Sequence, residues 1–211
     1  MSNMKGIYIG YMLLCIAAVS SAQTYDVIER RNSWNTGTNV TGIMMDSVTV
    51  SYAELYGKNN HGDFRHYYEA GKLWSAGAVA KSITHLKKYS LIGSFSFDHT
   101  SGKDMSGSMF IHPGFYPVDL LEFTPGRKDL QTYAFMGGIA ADAGTNWRIG
   151  GKIDFTSANY SKRKDLRHTN YRLDLKVAPG IMYHSDHYAL GFSYIFSKNS
   201  ESVSAEEIGT A

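Results

Sequence analysis

No internal stretch of this 211-residue chain approaches the roughly 18 consecutive apolar residues that a membrane-crossing helix needs, although 43% of its residues are hydrophobic. A helical membrane protein is thereby excluded. Cysteine is nearly absent: the one copy, Cys15, lies inside an N-terminal apolar stretch, so a chain cleaved after that stretch contains no thiol and forms no disulfide. Net charge is small as well, and +2 does not support nucleic-acid binding. Neither a nucleophile elbow nor a zinc-protease helix motif occurs, which removes the catalytic classes that depend on them. The glycine pairs Gly137–Gly138 and Gly150–Gly151 have no helix following them and so do not read as phosphate-binding loops.

What the chain does contain is alternation. Between Lys88 and Ser200, every second side chain is apolar or aromatic in several stretches: Tyr89, Leu91, Gly93, Phe95, Phe97; Trp147, Ile149, Gly151, Ile153, Phe155; Tyr171, Leu173, Leu175, Val177; and Tyr188, Leu190, Phe192, Tyr194, Phe196. Period-two patterning with one apolar face is how a membrane-spanning β-barrel strand reads. Fifteen tyrosines and 21 glycines suit strands with aromatic girdles and close backbone approaches.

The N-terminus differs. Lys5, an apolar run from Ile7 to Val19 and the small residues Ser20, Ser21 and Ala22 together read as a signal peptide over 1–22, cleaved before Gln23. Acylation at Cys15 is the weaker reading, because bulky Leu14 precedes it. Residues 23–47 lack periodicity and are expected to form a periplasmic or plug-like segment, with residues 48–211 forming the barrel portion.

Seven strands are expected, near 48–56, 72–84, 88–98, 130–141, 147–159, 170–183 and 188–198. Short connections (85–87, 142–146, 184–187) alternate with long ones (57–71, 99–129, 160–169), as in bacterial outer-membrane barrels with tight periplasmic turns. A hairpin about Ser185 and Asp186 would pair Tyr183 with Tyr188, Ile181 with Leu190, Val177 with Tyr194 and Leu175 with Phe196. One centred on Gly144 would pair Ile139 with Ile149, Phe135 with Ile153, Tyr133 with Phe155 and Gly137 with Gly151.

On the opposite face stand Arg148, Lys152, Asp154, Arg172, Asp174 and Lys176, which are expected to line the lumen, because Arg or Lys at mid-span in lipid costs roughly 2–4 kcal/mol. Charge pairing allows Asp154 opposite Arg172 with Lys152 opposite Asp174, or Asp154 opposite Lys176. Pro179 removes one ladder donor and predicts a bulge or strand end.

Other constellations have plainer readings. His184 and His187 flank Ser185 and Asp186 in what reads as a turn, without an evident third metal ligand. His99, Ser101, Asp104 and His112 share the longest loop without forming a recognisable catalytic set. The run from Lys162 to His168 is expected at an extracellular loop tip, solvated or facing lipid phosphates. The apolar residues Met105, Met109, Phe110, Phe115, Tyr116 and Phe123 predict that the 99–128 loop packs on itself, folds inward or covers a partner.

Ser33, Trp34, Gly37 and Asn39, together with Ala158–Lys162 and Asp165, Leu166, Arg167 and Asn170, resemble an uncharacterised family of outer-membrane β-barrel proteins of the Bacteroides group. The resemblance extends through most of the mature chain, implies no activity, cofactor or ligand, and implies that this chain corresponds to the N-terminal part of a larger barrel. An odd strand count and the lack of a terminal aromatic strand agree with that.

The expected function is a porin-like or uptake-accessory outer-membrane barrel without catalytic chemistry, metal or cofactor. Its expected partners are outer-membrane lipid, including lipopolysaccharide, and a surface lipoprotein or uptake receptor, with no nucleic acid. The alternatives are a barrel whose loops bind a surface partner, a soluble secreted β-sandwich and, more remotely, an outer-membrane hydrolase.

Overall fold

A computed structural model describes Val27 and residues 37–63 and 69–207. The expected signal peptide and most of the 23–47 segment lie outside these residues. A 3-10 helix, Val40–Met45, precedes an antiparallel meander of β1 (Val50–His61), β2 (Lys72–His85), β3 (Tyr89–Ser108), β4 (Leu121–Asp142), β5 (Trp147–Lys162), β6 (Arg167–His184), β7 (Ala189–Ser193) and β8 (Phe196–Glu206). Each strand from β1 to β6 pairs with the next, and β8 also pairs with β6.

β7 and β8 are one pass in two pieces. Gly180 faces Ser193 and Val177 faces Phe196 on a single register line, and the gap lies opposite Pro179. Tyr194 N–H still donates to the Pro179 carbonyl at 3.1 Å, but proline has no N–H to return. The predicted effect of Pro179 is therefore seen on its neighbour, while β6 itself continues unbroken. Among the described residues seven antiparallel passes result, so the first and last run in the same direction, and the sheet they form is open with β1 and β8 as its edges.

All seven expected strands are present, and most are longer at one end than predicted. The loop expected at 99–129 shrinks to 109–120 because β3 runs to Ser108 and β4 begins at Leu121. Beyond Phe97 and Tyr133 both faces become polar, so the alternation fades while backbone pairing continues through His99 with Gln131 and Ser101 with Asp129.

Two registers are corrected. Tyr183 faces Leu190, Ile181 faces Phe192, Val177 faces Phe196 and Leu175 faces Lys198. Likewise Ile139 faces Gly151, Phe135 faces Phe155, Tyr133 faces Ser157 and Gly137 faces Ile153. In each hairpin the turn centre sits one residue later than expected. Ser185 N–H bonds the Tyr188 carbonyl, Ser185 Oγ accepts from the His187 and Tyr188 N–H groups, and Ala143 N–H bonds the Trp147 carbonyl. A one-residue move of the turn shifts every pair by two and leaves each side chain on its face. Gly137 is covered by the ring of Phe135. Between β5 and β6, Asp154 faces Lys176, one of the two charge-compatible registers.

The helix packs on one face of the sheet, termed the inner face. Val40 and Ile43 join Ile83, Ile92 and Ala140 in a small core. That approach requires glycine beneath the helix: a Cβ on Gly150 would lie 2.8 Å from Val40 Cγ1, and one on Gly138 2.7 Å from Val40 Cγ2. Asn39 fixes the segment by donating from Nδ2 to the carbonyls of Ile181 (3.0 Å) and Phe192 (3.1 Å). Its Oδ1 accepts from Thr41 N–H and Oγ1, capping the helix.

Candidate functional site

The outer face collects the alternating apolar side chains. On β3, Tyr89 to Phe97 face outward; on β4, Tyr133 to Ile139; on β5, Trp147 to Phe155; then Tyr171 to Tyr183 on β6 and Leu190 and Phe192 on β7. Most of them are exposed, from 37% at Val177 to 73% at Leu190, while Phe97, Phe155, Leu175 and Tyr183 are half-buried. The apolar segments of β3 and β5 are each about nine residues end to end, the length at which a tilted strand crosses a hydrocarbon core. Rings mark both margins. Trp147 and Tyr183 lie 5.2 Å apart, with Tyr188 6.0 Å from Tyr183, at the short-turn end; Phe97 and Tyr133 lie 4.9 Å apart at the other.

The inner face holds the predicted lining residues. Lys152, Asp154, Arg172, Asp174 and Lys176 share one depression of about 450 Å³ with Thr156, Asn199, Gly37 and Thr38. Lys152 pairs with Asp154 at 3.6 Å and Arg172 with Asp174 at 2.9 Å. Arg148 stands apart at the short-turn end, paired with Asp142 at 3.3 Å and contacting Met45 Sδ. Three cations and two carboxylates leave this depression polar with a small positive excess, suited to holding small hydrated solutes by paired charges.

Gly37 and Thr38, just before the helix, line one side of the depression, and Phe115 of the 109–120 connection lies against its Arg172. Beyond a bulge at Gly102–Gly107, this connection crosses the inner face as a strap. Glu201 is its anchor: it accepts from Tyr116 Oη (2.8 Å), Ile111 N–H (3.4 Å) and Asn170 Nδ2 (2.6 Å), while the Arg172 guanidinium lies 5.3 Å from the Phe115 ring. The strap also packs on itself, with Tyr116 5.0 Å from both Phe110 and Phe115. Two of the sequence expectations for this loop thus hold together.

Beyond the apolar band, the inner face carries a buried ionic cluster that the sequence reading missed. Glu122 bonds both Lys128 (3.0 Å) and Lys162, and neither lysine side chain is exposed. Lys128 Nζ also donates to the carbonyls of Ser106 and Ser108, and lies 5.3 Å from the Tyr160 ring. Desolvation lowers the Lys128 pKa against the opposing pull of Glu122, and raises that of the Tyr160 phenol. His168 is fully buried beside Tyr160, and desolvation with the nearby lysines pushes its pKa down to about 4.

The expectation that the whole run Lys162–His168 forms a loop tip is therefore corrected. The connection is only 163–166, and even-numbered Lys162 and His168 point inward. The visible signal was parity: Lys128, Tyr160, Lys162, His168 and Asn170 all continue the polar face of their strands. His99 and Ser101 lie on β3 rather than in a loop; His99 stacks near Trp74 at 4.9 Å, and Ser101 Oγ accepts from Arg127 Nε.

A sequence profile described as a family of unknown function (DUF6850) matches residues 41–207 of the chain. No curated protein and no solved structure matches.

Proposed function

This chain belongs to that family of unknown function, and we propose that it forms part of the wall of a Bacteroides-group outer-membrane β-barrel that passively admits small polar solutes. One observation carries the reading: from β3 to β7 the outer face is a continuous apolar band with aromatic margins, bounded at β8 by Lys198, which faces outward opposite Leu175. Soluble monomers rarely leave more than a few hundred Å² of contiguous apolar surface in water. In lipid, that face is matched to its solvent, and the paired charges lie on the protected side.

The edges support an incomplete wall. Because β1 and β8 run in the same direction, an all-antiparallel closure needs an odd number of further strands, from more of the same polypeptide or from another chain. The N-terminal part of a larger barrel is the simplest such arrangement. Within it, residues 39–45 and the 109–120 strap narrow the lumen from opposite ends, and Lys152, Asp154, Arg172, Asp174 and Lys176 line the space between. The mechanism is passive selection by size and charge.

The test is fractionation followed by conductance. The protein expressed in a Gram-negative host should stay with membranes through high salt and alkaline carbonate, leave only in detergent, and give stable channels in planar bilayers as the complete assembly. Release by salt alone refutes the membrane wall. A second reading, an anchor for a surface partner, is favoured by a separate feature: Val118 (71% exposed), Leu121 and Phe123 (68%) form an apolar tip at the strap end. A sealed barrel that retains a bound surface lipoprotein would select that reading.

A further inference from the structure

We infer that the outer face carries a docking site for the phosphorylated headgroup of an outer-leaflet glycolipid, at a polar pocket directly beyond the apolar band. The inference rests on the membrane reading above. The pocket, about 360 Å³, is lined by His99, Arg127, Gln131, Asn159, Ser161 and Arg163, with Asp129 among them.

Register places these side chains in rows. Phe97, Tyr133 and Ser157 form the last row of the band; His99, Gln131 and Asn159 form the next; Ser101, Asp129 and Ser161 the one after; and the two arginines stand just beyond. Side chains on one face advance about 7 Å per row along a strand, so with a strand tilt near 45° the first two polar rows occupy roughly 5–10 Å above the hydrocarbon boundary. That is the depth of the lipid headgroups.

The chemistry fits a phosphate better than a neutral group. Arg127 donates from Nε to Ser101 Oγ (3.0 Å) and Asp129 Oδ1 (3.1 Å), which aims the guanidinium over the pocket while its side chain remains 57% exposed. Asp129 balances that one charge, and Arg163, exposed on the 163–166 connection, adds a second cation. In the wall of the pocket, His99 Nδ1 and Asn159 Oδ1 are buried and have no hydrogen-bond partner, which makes the wall polar. Arginine pairs offer bidentate bonds to phosphate oxygens. Acyl chains below a bound headgroup would run over Phe97, Tyr133 and Phe155. A lipid has both parts; a free anion has only the first.

The test is native mass spectrometry of the detergent-folded protein titrated with diphosphoryl lipid A, with dephosphorylated lipid A and inorganic phosphate as the comparison probes. Wild type should bind the diphosphoryl lipid, and R127Q/R163Q should weaken it at least about tenfold, the loss expected for charge-assisted hydrogen bonds. K198Q, on the same outer face away from the pocket, should stay within about twofold and controls for general charge loss. Dephosphorylated lipid should bind wild type as weakly as diphosphoryl lipid binds the double variant. Equal binding of the diphosphoryl lipid to wild type and R127Q/R163Q overturns the site, and displacement of the lipid by millimolar inorganic phosphate overturns its assignment to a lipid. Either result obtained with protein that still requires detergent leaves the membrane wall standing, whereas a detergent-free soluble protein removes both.

Discussion

Gly151 offers a clean measurement of which solvent the outer face meets. It lies midway along the apolar segment of β5, between Ile149 and Ile153, and a Cβ built on it touches nothing within 4 Å. Replacing it therefore removes no packing and meets no steric barrier. In water, a Gly151→Arg change on an open strand position belongs to the surface class, with an effect within about 0.5 kcal/mol. At the centre of a bilayer the same arginine costs about 2–4 kcal/mol. Gly151→Leu supplies the reference, since it carries the same loss of glycine freedom without the charge. Ser157→Arg, one row beyond Phe155, should cost no more than about 1 kcal/mol near the interface. The assay is reversible urea unfolding of protein folded into phospholipid vesicles, followed by tryptophan fluorescence, comparing each arginine variant with its leucine counterpart. A profile that peaks at Gly151 and vanishes at Ser157 fits hydrocarbon. A flat profile, with Gly151→Arg within 0.5 kcal/mol of Gly151→Leu, refutes the membrane assignment of this face.

Other outcomes follow from the buried groups. Glu122→Gln leaves the ammonium groups of Lys128 and Lys162 buried without a counter-charge, and unfolding experiments should show a loss of about 3–5 kcal/mol. Asn39→Ala removes the two bonds to Ile181 and Phe192, worth roughly 1 kcal/mol each, and limited proteolysis should then cut near residues 37–46 faster while the strands stay protected. Gly180→Val, whose side chain would collide with the Asn39 carboxamide, should reproduce that cleavage pattern. His168 is neutral in the folded state down to about pH 4, whereas the unfolded chain protonates it near 6.5. Its contribution is complete above pH 6.5 and is lost as pH falls towards 4, by about 3 kcal/mol, with no further loss below. His168→Phe should flatten that slope in pH-dependent unfolding.

Much of this architecture is legible in the sequence because a strand's faces follow from counting by two. The outward set from Tyr89 to Phe196 and the inward charges from Lys152 to Lys176 were assignable without knowing any turn, since a register error of two residues preserves parity. The turn centres were not legible. Ser185 reads as a turn residue, but nothing in Ser185–Tyr188 specifies that its side chain accepts from two N–H groups and moves the centre on by one residue. Above Phe97 and Tyr133 the apolar alternation ends, so the strand extensions, and the Glu122 cluster inside them, carried no periodic signal. Lys162 and His168 look like loop residues by composition, and only their parity with Asn170 placed them indoors. The strap is a third case: its aromatic content announced burial, but the Glu201 anchor lies 85 residues from Tyr116.

The Asn39 latch has a temporal consequence. Its two acceptors are 142 and 153 residues further along the chain, on β6 and β7. During synthesis and insertion the segment around Asn39 has nothing to grip until the β6–β7 hairpin has formed, so it waits unattached while β1 to β5 assemble. Attachment of this segment therefore comes late among the described strands, and a chain stalled before Phe192 would leave the inner face open on that side.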